Sequence, residues 1–196
     1  MGAAAPVVVT SRSDSAITKL NSIALGAVYA QRILGKGSAP VPEPVPEITT
    51  TYRIVVVNPG STSTKIALYE NERCVCEVES SYIIDSAADL SAQQEQVKEL
   101  ERRVLGVMGD AGWEKVDAIA ARGGFVPRPP EKLSGGVYAI AEVREDKVCV
   151  NEPLVAAMLE HPEKKHASNL GIPVAAALAK TLHVPAYFVD PVIVDE

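Results

Sequence analysis

The chain has 196 residues, of which 47% are hydrophobic and 22% are charged, and its net charge is −6. This composition is typical of a globular protein with a sizeable core, and the negative charge excludes a general affinity for nucleic acid. No apolar run reaches the roughly 18–20 residues that a membrane-spanning helix needs, and the cysteines show no paired spacing of a disulfide framework. We therefore expect a cytoplasmic protein with no nucleic-acid or membrane partner.

The first 51 residues divide into two parts. Within residues 1–36, a strand pattern at Val7–Val9 precedes a helix whose apolar stripe includes Leu20, Ala24 and Val28. In residues 37–51, prolines at positions 40, 42, 44 and 46 alternate with Val and Glu, which favours an extended polyproline path and predicts a semi-stiff tether. A proline-rich surface loop within one domain is the alternative. A tether would make residues 52–196 a separate folding unit.

Residues 52–196 alternate between strand and helix patterns. Three β-branched stretches with short connections predict an antiparallel meander, and helical periodicity marks later segments. The predicted elements, in chain order, are strands at Arg53–Val57, Lys65–Tyr69 and Arg73–Ser80, a helix over Val97–Ala111, a strand at Val116–Ala121, a loop at Gly123–Gly136, helices at Asn151–Leu159 and Ala167–Leu182, and a strand at Ala186–Val189. The order βββαβαβ predicts an α/β domain with a mixed sheet.

The segment from Asn58 to Lys65, with the sequence NPGSTSTK, lies between the first two predicted strands. Its hydroxyls and turn amides can donate to an anion, and Lys65 can neutralise phosphoryl charge. The segment is not a Walker A loop, because its spacing differs and a strand follows it. From composition alone, a phosphate loop and an ordinary polar hairpin turn both remain open.

Four segments together resemble the signatures of one enzyme family. The string from Ile54 to Tyr69 resembles the first signature of the acetate and butyrate kinases. The later segments resemble the arginine, histidine–asparagine and aspartate segments of the butyrate branch, and they are Arg122-Gly-Gly with Gly135-Gly136-Val-Tyr138, His166–Gly171, and Val189–Asp195. The resemblance implies the N-terminal half of a butyrate kinase and an RNase H-like, actin-like ATPase fold.

The resemblance also implies the chemistry. The γ-phosphoryl group of ATP would pass in line to butyrate, with Mg²⁺, to give butyryl phosphate. An acetate or propionate kinase is a variant of this hypothesis, and a non-catalytic phosphate-binding module is the alternative from another class. The residues implied to face the phosphoryl group are Asn58, Ser61, Ser63 and Lys65, and Asn58 is also implied to help place the metal.

The later signatures imply three catalytic residues. Arg122 would grip the carboxylate with its guanidinium fork. His166, neutral or charged, would donate to the phosphoryl oxygens, and Asp190 would orient the substrate or hold Mg²⁺. Asn169 is implied to bind substrate at the same site. A turn residue, an ion pair or a helix start is the structural alternative for each.

A second, shorter resemblance lies near the N-terminus. Residues 10–25 resemble the C-terminal end of a phosphate acetyltransferase or phosphate butyryltransferase, in which Ser11 and Arg12 would contribute to the phosphate and acyl-CoA site. A chance helix is the alternative. Because such a transferase makes the acyl phosphate that the kinase consumes, we expect an internal piece of a transferase–kinase fusion.

The resemblance implies a further domain that residues 52–196 do not contain. Kinases of this superfold bind nucleotide between two domains. We therefore expect little kinase activity from these residues alone, and an apolar face where the second domain would pack or where a homodimer could form.

Overall fold

The structure is a computed structural model, and it describes residues 51–127, 137–160, 166–189 and 192–194. The predicted transferase remnant at residues 1–36 and nearly all of the predicted tether at residues 37–51 lie outside the described residues. The three-part domain division therefore stays a prediction.

The described residues contain strands, α-helices and one short 3-10 helix. In chain order they are β1 (Arg53–Pro59), β2 (Thr64–Glu70), β3 (Arg73–Ser80), α1 (Leu90–Asp110), β4 (Ala118–Arg122), β5 (Phe125–Pro127), β6 (Val137–Arg144), β7 (Lys147–Val150), α2 (Glu152–Glu160), the 3-10 helix (Ala167–Leu170), α3 (Gly171–Leu182), β8 (Ala186–Val189) and β9 (Val192–Val194). None of the helices in these described ranges is long and apolar enough to cross a lipid bilayer.

The main sheet has seven strands in the order β3-β2-β1-β4-β8-β6-β7. β1, β2 and β3 form an antiparallel meander, while β4 pairs parallel to β1 and β8 pairs parallel to β4. This arrangement confirms the predicted α/β class and the mixed sheet. β5 and β9 form a separate parallel pair.

The helices cover one face of the sheet. Along β1, Val55 and Val57 are fully buried, whereas Ile54, Val56 and Asn58 are only partly buried. Side chains alternate between the two faces of a strand, so the buried set faces α1 and α3 and the other set lies on the opposite face. α3 packs against β1, β4, β6 and β8, and its Ile172, Val174 and Leu178 are fully buried.

The first four predicted strands and both later helices agree with the structure to within a few residues. α1 begins earlier than predicted, because Asp89 caps it by accepting a hydrogen bond from the Ala92 N–H at 2.8 Å. The predicted helix at Ala167–Leu182 divides into the 3-10 helix and α3. The predicted loop at Gly123–Gly136 was wrong in part, because it contains β5, and the β6–β7 hairpin was not predicted.

Candidate functional site

A row of polar side chains crosses the sheet at the end where β1 and β4 finish. Glu79 on β3 pairs with Lys65 on β2, and Lys65 pairs with Asn58 on β1. Val57 pairs with Ala121, so Asn58 lies beside Arg122, the last residue of β4. Residues in register point to the same face. The four side chains therefore share the face opposite the helices, and we call them the polar row.

Three members of the polar row are free to bind a ligand. Within the described part of the chain, the side chains of Asn58, Lys65 and Arg122 make no hydrogen bond or ion pair, and Lys65 and Arg122 are exposed. With strands spaced about 4.8 Å apart, their Cα atoms span about 10 Å. Two cations and an amide across that width suit an anion that carries several oxygens.

The turn between β1 and β2 shapes one side of this row. The Gly60 N–H donates to the Ser63 carbonyl at 2.9 Å, which leaves Ser61 and Thr62 at the exposed tip. A Cβ at Gly60 would lie 2.8 Å from the Ser63 carbonyl oxygen, so the turn requires glycine at that position for close backbone approach. The predicted hairpin is confirmed, and Ser61 has an exposed hydroxyl next to the polar row.

The other hydroxyls of the turn have different surroundings. Ser63 Oγ donates to Glu79 Oε1 at 2.5 Å, so this predicted phosphate-binding hydroxyl already has an acidic partner. Thr64 is fully buried and its Oγ1 has no hydrogen-bond partner in the part of the chain that the structure describes. The expectation that Thr64 adds a ligand donor was therefore wrong, because strand alternation turns its side chain toward the helices.

The loop that follows Arg122 is fixed to the 3-10 helix and to β8. The Gly123 N–H donates to the Val189 carbonyl at 2.9 Å, and the Phe125 N–H donates to Asn169 Oδ1 at 2.9 Å. A Cβ on Gly124 would lie 2.1 Å from Asn169 Oδ1, so only glycine allows this approach. Asn169 is buried. Its side-chain oxygen Oδ1 positions the loop that follows Arg122, which we call the arginine loop.

His166 lies at the start of the 3-10 helix and against the arginine loop. It is the N-cap residue, and its Nδ1 accepts a hydrogen bond from the Ser168 N–H at 3.2 Å. Its ring contacts the Phe125 ring edge to face, with centroids 5.6 Å apart. The 3-10 helix packs against β1 and β5, so His166 belongs to the same end of the sheet as the polar row.

The structure thus brings most predicted site residues to one end of the sheet. The others lie outside the described residues. Asp190, Ser11 and Arg12 lie outside the described residues, although β8, which ends at Val189, finishes at this end. Gly135 and Gly136 of the arginine signature also lie outside them. The described ranges contain no cluster of three or more His, Cys, Asp or Glu side chains placed to hold a metal ion.

Sequence reasoning missed Glu79, Ser168 and Phe125 as members of this site. Glu79 follows from the register of β3 against β2, once Lys65 is known to face a ligand. Ser168 lies two positions after His166, a spacing at which an N-cap side chain meets a backbone N–H. The pairing of consecutive strands and the spacing of two residues could both have been inferred from the sequence. The contact of Phe125 with His166 could not, because it depends on tertiary structure.

Comparison with known proteins shows similarity to butyrate kinases. The chain is 36% identical over 149 residues to a protein named "Probable butyrate kinase" from Listeria innocua, covering 74% of this chain. It is 35% identical over 150 residues to butyrate kinase 2, and 32% identical over 147 residues to butyrate kinase 1, both from Clostridium acetobutylicum. The matched part of this chain is homologous to the butyrate kinases. No protein-family model matches the chain.

The chain spans only part of each relative. It covers 38% of the length of the Listeria innocua protein and 37% of butyrate kinase 2. Among solved structures, an acetate kinase from Entamoeba histolytica aligns with a TM-score of 0.35 and 11% identity, over 70% of this chain and 34% of that chain.

Lys65, Asn58 and Arg122 lie at neighbouring register positions, and their side chains are unpaired within the described part of the chain. The transferase resemblance of residues 10–25 stays a prediction.

Proposed function

We propose that this chain supplies the carboxylate- and phosphoryl-binding half of a kinase that transfers the γ-phosphoryl group of ATP to butyrate. The polar row carries the proposal, because its two unpaired cations flank an unpaired amide on one open face of the sheet. Homology to butyrate kinases supports butyrate as the acceptor. Since the chain spans 38% of such a relative, the complete activity and the nucleotide pocket are part of the proposal.

In the proposed reaction a butyrate oxygen attacks the γ-phosphorus of ATP in line. A carboxylate O–P bond forms as the bond from the γ-phosphorus to the β–γ bridging oxygen breaks, and ADP leaves. A carboxylate is already a nucleophile, so positioning and charge neutralisation provide most of the catalysis. No group has to remove a proton from the acceptor.

Each residue of the site has a separate task in this scheme. Arg122 presents two parallel N–H donors to the butyrate carboxylate. Lys65 offsets the charge on the phosphoryl oxygens, and Ser61 can donate to the same oxygens. His166 donates from its ring to the transferred group. These tasks match the positions of the side chains on one end of the sheet.

Magnesium is proposed as the companion of ATP. Mg²⁺ takes oxygen ligands, keeps several waters, and is commonly held by one or two protein groups together with substrate phosphates. The amide oxygen of Asn58, unpaired in the described part of the chain, fits a single protein contact of this kind. Asp190 is the second proposed ligand. When bound, the ion would neutralise charge on the phosphates.

The test measures butyrate binding by the whole chain with isothermal titration calorimetry. Wild type should bind butyrate saturably, and Arg122→Gln should weaken binding at least about tenfold, because a charge-assisted bidentate contact is lost. Arg144→Gln is the matched control, since Arg144 is exposed on β6 and paired with Glu142. Absence of binding by wild type, or equal losses in both variants, would contradict the proposal.

A further inference from the structure

The hydrogen bonds of His166 determine which ring nitrogen carries its proton. The Ser168 N–H donates to His166 Nδ1 at 3.2 Å, and Ser168 Oγ lies 2.7 Å from the same nitrogen. A backbone N–H can only donate, so Nδ1 must be the acceptor and must lack a proton. The ring proton of neutral His166 is therefore on Nε2.

The local backbone explains why His166 Nδ1 accepts a hydrogen bond from the Ser168 N–H. His166 is extended, with φ −138° and ψ 146°, and is the N-cap of the 3-10 helix. Its carbonyl accepts the Asn169 N–H at 2.8 Å, while its ring occupies the place that an Asp or Ser side chain takes at most N-caps. The cap fixes Nδ1 toward the helix and leaves Nε2 on the far side of the ring.

The arginine loop holds the ring from another direction. Phe125 meets the imidazole edge to face, with an interplanar angle of 71°, and the Phe125 N–H is itself bound by Asn169 Oδ1. Nε2 makes no hydrogen bond in the part of the chain that the structure describes. The ring is thus oriented by two neighbours, and one polar N–H remains available.

We propose that Ser168 is a positioning residue that fixes the Nε2–H tautomer of the His166 imidazole, so that the Nε2–H group is directed as a hydrogen-bond donor to the phosphoryl oxygen. The donor role rests on the proposed function, whereas the tautomer does not. A doubly protonated ring would place an N–H at Nδ1 directly against the Ser168 N–H.

The tautomer can be measured directly in the whole chain labelled with ¹⁵N-histidine. Long-range ¹H–¹⁵N correlation spectra at about pH 8, where an ordinary imidazole is neutral, should show His166 Nδ1 as the unprotonated nitrogen. His183 is an internal reference, because its Nε2 lies 2.9 Å from the Asp146 carbonyl and must donate to it. A proton on Nδ1 of His166 would overturn the proposal.

Two variants separate the N-cap role of His166 from its proposed role as a hydrogen-bond donor. In His166→Asn the short amide can still accept from the Ser168 N–H but has no group at the position of Nε2. In His166→Gln the longer amide can donate from near that position but caps poorly. We expect His166→Asn to keep the thermal midpoint and to lose phosphate affinity several-fold. We expect His166→Gln to have a lower thermal midpoint and to keep its phosphate affinity.

Inorganic phosphate is the probe for that comparison, and each outcome has one meaning. If phosphate affinity follows thermal stability in both variants, His166 has only a structural role and the donor proposal is overturned. If wild type does not bind phosphate, the proposed function fails at this site, while the tautomer measured by nuclear magnetic resonance still decides the role of Ser168.

Discussion

Each residue of the polar row is placed by strand pairing rather than by contacts with its neighbours in the row. Lys65 faces Glu79 across the β2–β3 pair. Glu79 instead accepts a hydrogen bond from the Ser63 hydroxyl, and no ion pair joins it to Lys65. The ammonium group of Lys65 is therefore available for a ligand, and Glu79 remains a nearby negative charge.

The charge of Glu79 should weaken anion binding. Glu79→Gln keeps an oxygen that accepts from Ser63 but removes the charge, so phosphate affinity should rise roughly two- to fivefold, the size expected for exposed charges. Glu77→Gln is the matched control, because Glu77 is exposed on the same strand and face, opposite Ala67. Calorimetric titration with phosphate measures both variants, and an equal rise in both would show a general charge effect instead.

Residues with local signals were predictable from sequence. The turn from Asn58 to Lys65 has a composition that marks a hairpin with donors, and Arg122 ends an apolar strand. Asn169 was predicted to bind substrate, and that role stays a prediction, but its Oδ1 binds the Phe125 N–H. Sequence could not show this contact, because it joins residues that only the fold brings together.

At the scale of elements, the start of α3 is packed unusually closely on the strand ends. A Cβ on Gly171 would lie 2.7 Å from the Arg122 carbonyl oxygen and 3.4 Å from Pro59 Cδ. The absence of a side chain at Gly171 therefore lets the helix approach β1 and β4 at the site.

Gly171→Ala should push this helix start away from the strands. We expect a loss of about 1–3 kcal/mol in unfolding free energy, measured by urea denaturation, and weaker phosphate binding. Gly106→Ala is the contrasting control, because a Cβ there meets nothing within 4 Å, and alanine inside a helix should stabilise by roughly 0.5–1 kcal/mol. A neutral Gly171→Ala variant would contradict the packing argument.

An arginine pair on α1 gives a pH-dependent contribution to stability. A hydrogen bond from Arg102 lowers the pKa of Glu99, and one from Arg103 acts in the same direction. Because the pKa is lower in the folded state, the stabilisation is present above the unfolded pKa and is lost as pH falls through the folded value.

Glu99→Gln should therefore lower the thermal midpoint at neutral pH. The difference from wild type should shrink when the pH is taken below about 4, the ordinary range of a glutamate. Glu95→Gln, which removes a single exposed pair with Lys98, should have a smaller effect. Thermal scans across pH measure this, and a difference that does not change with pH would contradict it.

The elements that sequence missed lack the usual turn signals. The β6–β7 hairpin turns at Glu145 and Asp146, both with positive φ (49° and 58°). Such turns usually contain Asn-Gly or Asp-Gly, so Glu-Asp gave no hairpin signal. The β-branched strands of the meander were predictable, because their alternation and short connections are local properties.

At the scale of the whole molecule, the described residues of the proposed site lie at one end of the sheet. The meander contributes Glu79, Lys65 and Asn58 of the polar row, and β4 contributes Arg122. His166 lies at this end as the N-cap of the 3-10 helix. Both helices that cover the sheet lie on the other face, so the polar row stays accessible. The architecture therefore places the residues of the proposed anion site together at one end of the sheet.

The central claim is that Lys65, Asn58 and Arg122 form one anion site, and backbone amide chemical-shift titration tests it most directly. The ligand is n-butyl phosphate, a stable stand-in for an acyl phosphate. The amides of these three residues should shift along one saturation curve with a single Kd, and Lys65→Met should abolish that curve. Shifts with different midpoints, or shifts confined to other parts of the chain, would contradict the claim.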